Sequence, residues 1–278
     1  MSVVAEPART PAVATAAPAA RRGGRGAGFY WIVRVLSVIV VLAAWEVFGA
    51  SINPIFLSTP SRIGLALWTI IRNGQLLEAL RLSLLGLLLG YGLSIVVGVP
   101  LGILMGRSRT VEAALEPWVN ALFVTPRVAL IPLLLIWFGI GFQAQVVVIF
   151  LSSVFPIIIN AYSGVRDISS NLVDTARAFC ADERQLFLEV ILPASVPFVM
   201  TGLRLGIGHA VIGMIVAQMF LALSGLGKLL VNYGDAFKTD YVFAVVIVVG
   251  ILGVVLTEVV KQVERRFAHW KESERAFS

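Results

Sequence analysis

Long apolar stretches, rather than alternating apolar and polar positions, dominate this chain. Six of them lie at 29–50, 82–106, 118–138, 146–165, 194–223 and 241–260. A bilayer core of about 30 Å needs roughly 20 apolar helical residues, and strands would show a two-residue alternation that these stretches lack. The pattern therefore predicts an all-α membrane protein with about six transmembrane helices.

The third stretch carries an interruption. Pro126 and Pro132 flank Arg127, whereas the second stretch contains no charged residue. Irregular backbone at membrane depth is tolerated only where protein buries it or where it lines a water-filled cavity. The sequence therefore predicts a broken third span.

Two connecting segments have helical patterns of their own. In 60–79, apolar residues recur among polar ones, which predicts a short helix on the outer face. In 166–192, apolar residues recur beside a charged face and predict one or two helices inside: Leu172, Ala176, Phe179, Leu186, Phe187 and Val190.

Small residues recur every four positions in spans two and five: Gly86 and Gly90, then Gly98, Gly102 and Gly106, then Gly202 and Gly206. This spacing allows helix backbones to approach closely. We predict that they serve packing within one bundle, with a dimer interface as the less favoured alternative.

Composition agrees with a lipid environment. Of the 278 residues, 58% are hydrophobic and only 14% are charged, against about a quarter charged in a typical soluble domain. The net charge of +6 resides in basic residues beside the apolar stretches, which favours membrane orientation over nucleic-acid binding. A single cysteine and two distant histidines make a metal site improbable.

The basic residues predict orientation. The segments assigned to the cytoplasm hold Arg9, Arg21, Arg22, Arg25, Arg107, Arg109, Arg166, Arg177, Arg184, Lys261, Arg265, Arg266, Lys271 and Arg275, whereas the outer loops hold Arg62, Arg72, Lys228 and Lys238. Positive loops face the cytoplasm. We expect a multi-pass inner-membrane protein with both termini cytoplasmic.

Three regions follow from these patterns. Residues 1–28 form a low-complexity run that predicts a disordered cytoplasmic tail, 29–260 form the transmembrane domain, and 261–278 form a cytoplasmic C-terminal tail. A cleaved signal peptide is the rival for the N-terminus, but its apolar core would be only about 7 to 15 residues long.

No nucleotide site or catalytic group is evident. Residues 222–229, ALSGLGKL, lack the first Gly and the Ser or Thr of a phosphate-binding loop. We predict that the chain is not an enzyme and binds no cofactor. Energy for any transport must come from a partner subunit or an ion gradient.

Polar groups within the spans are candidates for lining a translocation path, because each is costly in lipid unless it faces a cavity or a partner. They are Asn120, Pro126, Arg127, His209 and Gln218. For Arg127, contact with an anionic solute, an interhelical hydrogen bond and snorkelling all remain open. For His209 a structural role is favoured.

The segment 174–193 reads DTARAFCADERQLFLEVILP. On physical grounds it is either an interfacial amphipathic helix or a docking helix. It resembles the EAA motif of ABC importer permeases, in which Glu-Ala-Ala is followed at fixed spacing by Gly, Ile and Leu-Pro. The matching positions are Asp174, Thr175, Ala176, Cys180, Val190 or Ile191, Leu192 and Pro193.

The resemblance extends from about Ser58 to the C-terminus. Segments 57–68, 115–141, 155–168 and 224–237 are similar to the nitrate/sulfonate/taurine branch of that family. It implies a type I ABC importer permease fold, with a core at about 80–260 and an EAA-type loop at 166–193. A cytoplasmic coupling helix over 172–188 is expected between the fourth and fifth spans.

The resemblance also implies partners: an ABC ATP-binding subunit that carries ATP and Mg, an extracytoplasmic solute-binding protein, and a second permease copy, as a homodimer. The implied coupling residues are Asp174, Thr175, Ala176, Arg177, Phe179, Cys180, Ala181, Leu192 and Pro193. The implied solute is small and anionic. An ion-gradient-driven transporter or channel is the alternative, although Glu46 and Glu258 lie near span ends rather than at mid-membrane.

One departure from the motif concerns Cys180, which stands where the family usually has Gly. A left-handed turn would strain a cysteine by roughly 1 kcal/mol. Either the turn uses ordinary dihedral angles or coupling is altered, and both alternatives remain open at this point.

Overall fold

The computed structural model describes residues 27–267, and every regular element in that range is a helix. The helices are α1 (Ala27–Ala50), α2 (Pro60–Arg72), α3 (Gln75–Arg107), α4 (Arg109–Val124), α5 (Ile131–Phe138), α6 (Phe142–Arg166), α7 (Ser170–Ala178), α8 (Glu183–Gln185), α9 (Leu192–Phe220), α10 (Leu226–Asp235) and α11 (Thr239–Phe267). A 3₁₀ turn, Arg127–Leu130, precedes α5, and a π-helical segment, Leu186–Ile191, joins α8 to α9.

Contacts divide the chain into two compact units, residues 1–45 and 46–278. In the first unit, the described residues form the greater part of α1. The predicted tail at 1–28 lies almost wholly outside the described residues, and so does 268–278. Residues 261–267 of the predicted C-terminal tail instead continue α11.

Five helices are long and apolar enough to cross a membrane: Gly28–Ala50, Gln75–Arg107, Phe142–Arg166, Glu183–Phe220 and Thr239–Arg266. A sixth crossing exists only as the pair Arg109–Val124 and Arg127–Phe138, which is bent by 94°. Thr125 and Pro126 are both extended at the bend. The conformation of Thr125 follows from Pro126, because proline disfavours a helical conformation in the residue before it. The described residues therefore contain five spans, or six when the bent pair counts as one, which agrees with the prediction of about six, and the predicted break is confirmed.

The start of the broken span differs from the prediction. Helix α4 begins at Arg109, nine residues before the predicted start at Trp118. Ser108 caps it, since its Oγ accepts a hydrogen bond from the Val111 backbone N–H at 3.4 Å. The first turns of α4 contain charged residues, so the apolar pattern did not include this segment. The cap nevertheless makes it helical.

The centre of the bundle is α6, with α3 packed on one side and α9 on the other. A Cβ on Gly102 of α3 would lie 2.5 Å from the Ile158 carbonyl oxygen, and one on Gly206 of α9 would lie 2.9 Å from Ile157 Cγ1. The glycine stripes therefore serve close packing within one chain, as predicted.

The bundle has two ends. At the α7 end, α3 and α6 finish and α9 begins; at the α10 end, α2 and α10 lie beside the start of α3. The predicted helix in 60–79 is confirmed as α2, whose buried face carries Ile63, Ala66 and Ile70. The sequence analysis did not predict α10.

Candidate functional site

The segment between α6 and α9 contains a left-handed turn at Cys180, whose φ is +61°. The Cys180 N–H donates to the Arg177 carbonyl at 2.9 Å, and the Ala181 N–H donates to the Ala176 carbonyl at 3.1 Å. These two bonds define a Schellman motif, which usually has glycine at the left-handed position. The turn required by the family pattern is therefore kept, and the alternative with ordinary dihedral angles is wrong.

A new helix starts directly after this turn. The Asp182 side chain accepts from the Gln185 N–H at 2.7 Å, while the Gln185 side chain accepts from the Asp182 N–H at 3.0 Å. This reciprocal capping box fixes the helix start at Glu183. A single helix over 172–188 is therefore wrong, because a left-handed residue cannot continue a right-handed helix; the two-helix alternative is confirmed.

Pro193 lies in the first turn of α9, as expected for a proline that starts a helix. No break precedes it, however, because Glu183–Phe220 forms one helix of 38 residues. The proline ring would clash with a carbonyl four residues back in a regular helix. The π-helical segment, in which the Leu192 N–H donates to the Phe187 carbonyl, widens the helix just before the proline.

Charged contacts tie the Cys180 turn to its neighbours. Glu183 lies 3.7 Å from Arg177 of α7 and 4.0 Å from Arg107 at the end of α3. The Arg107 guanidinium also lies 4.6 Å from the centre of the Phe187 ring. Residues from α3, α7 and the π-helical segment thus meet around one carboxylate.

The predicted coupling residues fall into two groups. Asp174, Thr175, Arg177, Phe179 and Cys180 are exposed, and Phe179 is 83% exposed. Ala176 and Ala181 are half-buried beside them. We call the stretch 174–181 the coupling ledge. Leu192 and Pro193 are half-buried at the start of α9, roughly 14 Å along the helix from Glu183, and do not belong to the ledge.

A second candidate site lies at the break between α4 and α5. The Arg127 Nη2 donates to the Phe123 carbonyl at 3.4 Å, and the guanidinium carbon lies 5.8 Å from the centre of the Phe123 ring. Its Nε is buried without a hydrogen-bond partner in the described part of the chain. Within residues 27–267, no carboxylate lies within 4.0 Å of the guanidinium nitrogens of Arg127.

A hollow of about 180 Å³ adjoins this arginine. We call it the central hollow; its lining comes from the break, α6 and α9, and comprises Pro126, Arg127, Val128, Val148, Ser152, His209, Ile212, Gly213 and Val216. The structure therefore brings Pro126, Arg127 and His209 together, although they are far apart in sequence. Ser152 was missed by the sequence analysis, and no sequence signal singled it out among the serines of α6.

Gln218 and Asn120 lie elsewhere. Gln218 is fully buried, and its Oε1 accepts hydrogen bonds from the Ser83 hydroxyl and the Gly227 N–H, each at 3.0 Å. It thereby joins α9 to α3 and to the start of α10, which is a packing role rather than a lining role. Asn120 is exposed beside a separate hollow of about 70 Å³ that Tyr162 also lines.

Acidic residues in or near the spans have local partners. Glu46 accepts from the Ser61 N–H at 3.0 Å and from its hydroxyl at 2.6 Å, which caps the start of α2. Glu112 pairs with Arg166 and Tyr162, and Glu264 lies 3.3 Å from Arg204. These contacts assign the acids structural roles, and none resembles an ion-coupling site at mid-membrane.

A third polar surface lies at the α10 end. A hollow of about 350 Å³ is bordered by Arg62, Lys238 and Asp240, and by Phe237, which is 72% exposed at a φ of +54°. The Thr239 hydroxyl donates to the Ile55 carbonyl and so holds two loops together there. Across residues 27–267, no group of three or more His, Cys, Asp and Glu side chains is arranged to hold a metal ion.

Comparisons with known proteins agree with this architecture. The family model described as binding-protein-dependent transport system inner membrane component matches residues 98–269. A putative aliphatic sulfonates transport permease protein of Bacillus subtilis is 31% identical over 93% of this chain and 95% of its own length. The taurine transport system permease protein of Escherichia coli is 30% identical over 84% of this chain and 88% of its own.

Among solved structures, an inward-facing MetNI methionine ABC transporter aligns with a TM-score of 0.58 at 21% identity. The alignment covers 72% of this chain and 96% of that chain. At this identity the likeness establishes the fold alone, and it is the fold expected from the sequence.

Proposed function

This chain belongs to the binding-protein-dependent transport system inner membrane components and is a permease subunit of an ABC importer, and from that premise we propose that its coupling ledge docks on an ATP-binding subunit. The observation that carries the proposal is the exposed Phe179 beside a fixed left-handed turn. An aromatic side chain so exposed on a charged, ordered segment is typical of a docking surface.

The contacts around the ledge supply a route for coupling. A displacement of α7 acts on Arg107 of α3 through Glu183, and it acts on α9 through the continuous helix Glu183–Phe220. Each nucleotide state of the partner needs only to favour one of two helix packings by a few kcal/mol. The ATP and Mg reside on the partner, and this chain binds no cofactor itself.

The remaining partners follow from the same proposal. The α7 end faces the cytoplasm together with both termini, and a second copy of the chain completes a homodimer in the inner membrane. The extracytoplasmic solute-binding protein docks at the α10 end, where exposed Phe237 and basic Arg62 and Lys238 border an open hollow. The basic residues near the membrane on the α7 side support this orientation.

The solute is a small organic anion of the sulfonate type. Two observations support this class: relatives that are named as permeases for aliphatic sulfonates and taurine, and the unpaired charge of Arg127 at membrane depth. An arginine in a membrane protein normally faces a cavity or a partner.

Substitution at Phe179 tests the docking proposal. Phe179→Asp places a second acidic residue on the ledge and removes the apolar contact, so we expect the ATP-binding subunit to be lost on purification from native membranes and uptake to fall at least tenfold. Phe179→Leu is the matched control and should keep both. Full retention of the ATP-binding subunit by the Asp variant would contradict the proposal.

A further inference from the structure

Arg127 has no acidic partner among the described residues, unlike Arg166 of α6 and Arg204 of α9. Arg166 pairs with Glu112, and Arg204 pairs with Glu264, whereas the guanidinium of Arg127 lies against the carbonyl and the ring of Phe123 in the preceding helix α4. Arg127 is half-buried, and a charge withdrawn from water without a counter-ion is costly in lipid or protein. The charge of Arg127 is therefore available to an anion that enters the central hollow.

The lining of the central hollow is divided by chemistry. Arg127, His209 and Ser152 provide polar groups, while Val148, Ile212 and Val216 provide an apolar wall. His209 lies 11 residues from the end of α9 at Phe220, roughly 16 Å along the helix. The hollow thus lies near the middle of α9.

The volume of the central hollow limits what fits. Its 180 Å³ is slightly more than the roughly 150 Å³ of an engineered cavity that holds benzene, a molecule of six non-hydrogen atoms. A solute of comparable size has roughly six or seven non-hydrogen atoms. A sulfonate group uses four of them, which leaves room for a chain of two or three more.

We infer that the central hollow binds the transported solute during passage, with Arg127 holding its anionic group and the wall of Val148, Ile212 and Val216 covering a short chain. The inference rests on the proposed function, since it assumes that the bundle carries an organic anion. It adds a binding site within the chain and a preference for short chains that does not depend on the solute-binding protein.

Direct binding to the purified complex tests the inference. The full chain, with the ATP-binding subunit that accompanies it and without the solute-binding protein, is titrated with ethanesulfonate, propanesulfonate, hexanesulfonate and octanesulfonate. We expect the two short sulfonates to bind and the two long ones to bind at least tenfold more weakly. Equal binding along the series would overturn the preference for short chains.

Variants of the lining separate the contribution of the Arg127 charge from that of the apolar wall. Arg127→Gln should weaken ethanesulfonate binding by about tenfold or more, because it removes a charge-assisted contact. Arg81→Gln removes the same charge from an exposed position on α3 and is the matched control. Val216→Ala shortens a side chain of the apolar wall and so enlarges the central hollow. It should therefore improve hexanesulfonate binding relative to ethanesulfonate binding.

The same preparations distinguish the two proposals. If ATP hydrolysis accompanies the chain and uptake proceeds, but Arg127→Gln binds ethanesulfonate as the unaltered chain does, the inference about the central hollow is wrong and the permease proposal stands. If no ATP-binding subunit accompanies the unaltered chain, the coupling proposal itself fails.

Discussion

At the residue scale, Cys180 shows that a backbone conformation is retained without the residue that suits it best. Its φ of +61° and its two Schellman bonds reproduce the turn that glycine would make without steric cost. Neighbours compensate for the strain: Asp182 begins the next helix with a capping box, and Glu183 joins Arg177 to Arg107. The turn is therefore determined by the segment and not by one residue.

Cys180→Gly should stabilise the protein. It relieves the left-handed strain, so we expect the free energy of unfolding to rise by up to about 1 kcal/mol with uptake retained. Cys180→Val should have the opposite effect, since a branched side chain fits a left-handed conformation poorly. Thermal unfolding of the purified full chain measures both. A less stable glycine variant would contradict this account of the turn.

At the element scale, the glycines of α3 are not equivalent. Gly102 faces α6, where a Cβ would lie 2.5 Å from the Ile158 carbonyl, whereas nothing lies within 4 Å of a Cβ on Gly92 of the same helix. Backbone atoms cannot move aside as a flexible side chain can. The packing of α3 on α6 therefore depends on particular glycines.

Alanine substitutions at these two positions should change stability in opposite directions. Gly102→Ala forces the helices apart and should cost about 1–3 kcal/mol, whereas Gly92→Ala should gain up to about 1 kcal/mol through helix propensity. Thermal unfolding of the full chain in one detergent compares the two variants. Equal tolerance at both positions would show that the α3–α6 contact is looser than the structure indicates.

The long helices were predicted from the sequence better than the points where helices begin and the short helices that connect them. Apolar length revealed the spans, and glycine spacing revealed the α3 and α9 faces that pack on α6. It missed the start of α4 at Arg109, because charges obscured the apolar pattern, and it missed α10, because a short amphipathic helix resembles a polar loop. At the candidate sites, it named Arg127 and His209 separately, since only the folded chain brings α9 to the break.

Contacts between residues that are far apart along the chain could not be predicted from the sequence either. Glu183 and Arg107 are 76 positions apart, yet their charged side-chain groups approach to 4.0 Å beside the coupling ledge. Gln218 was predicted to line a path because it is polar in an apolar span. Its buried bonds to Ser83 and Gly227 depend on the start of α10, which the pattern did not reveal.

At the scale of the whole molecule, the orientation of the chain remains a prediction with a direct test. Cys180 is the single cysteine of the sequence and is exposed at the α7 end. A membrane-impermeant maleimide should therefore label inside-out vesicles and not intact spheroplasts.

A control variant reports on the opposite side. In the double variant Cys180→Ser and Lys238→Cys, the thiol lies at the α10 end, so the labelling pattern should reverse. Labelling of Cys180 in intact spheroplasts would reverse the proposed topology and place the ledge outside the reach of a cytoplasmic ATP-binding subunit.

The close approach of α6 to both neighbours also decides where this molecule moves. Ile157 lies against Gly98 of α3 on one side and Gly206 of α9 on the other, at 3.0 and 2.9 Å from the positions of added Cβ atoms. If α6 slid along its axis, the Ile157 side chain would lose its contacts with both glycines at once. Such tightly packed contacts do not deform continuously. We expect α3, α6 and α9 to travel as one rigid body, which leaves the 94° bend as the joint of a transport cycle.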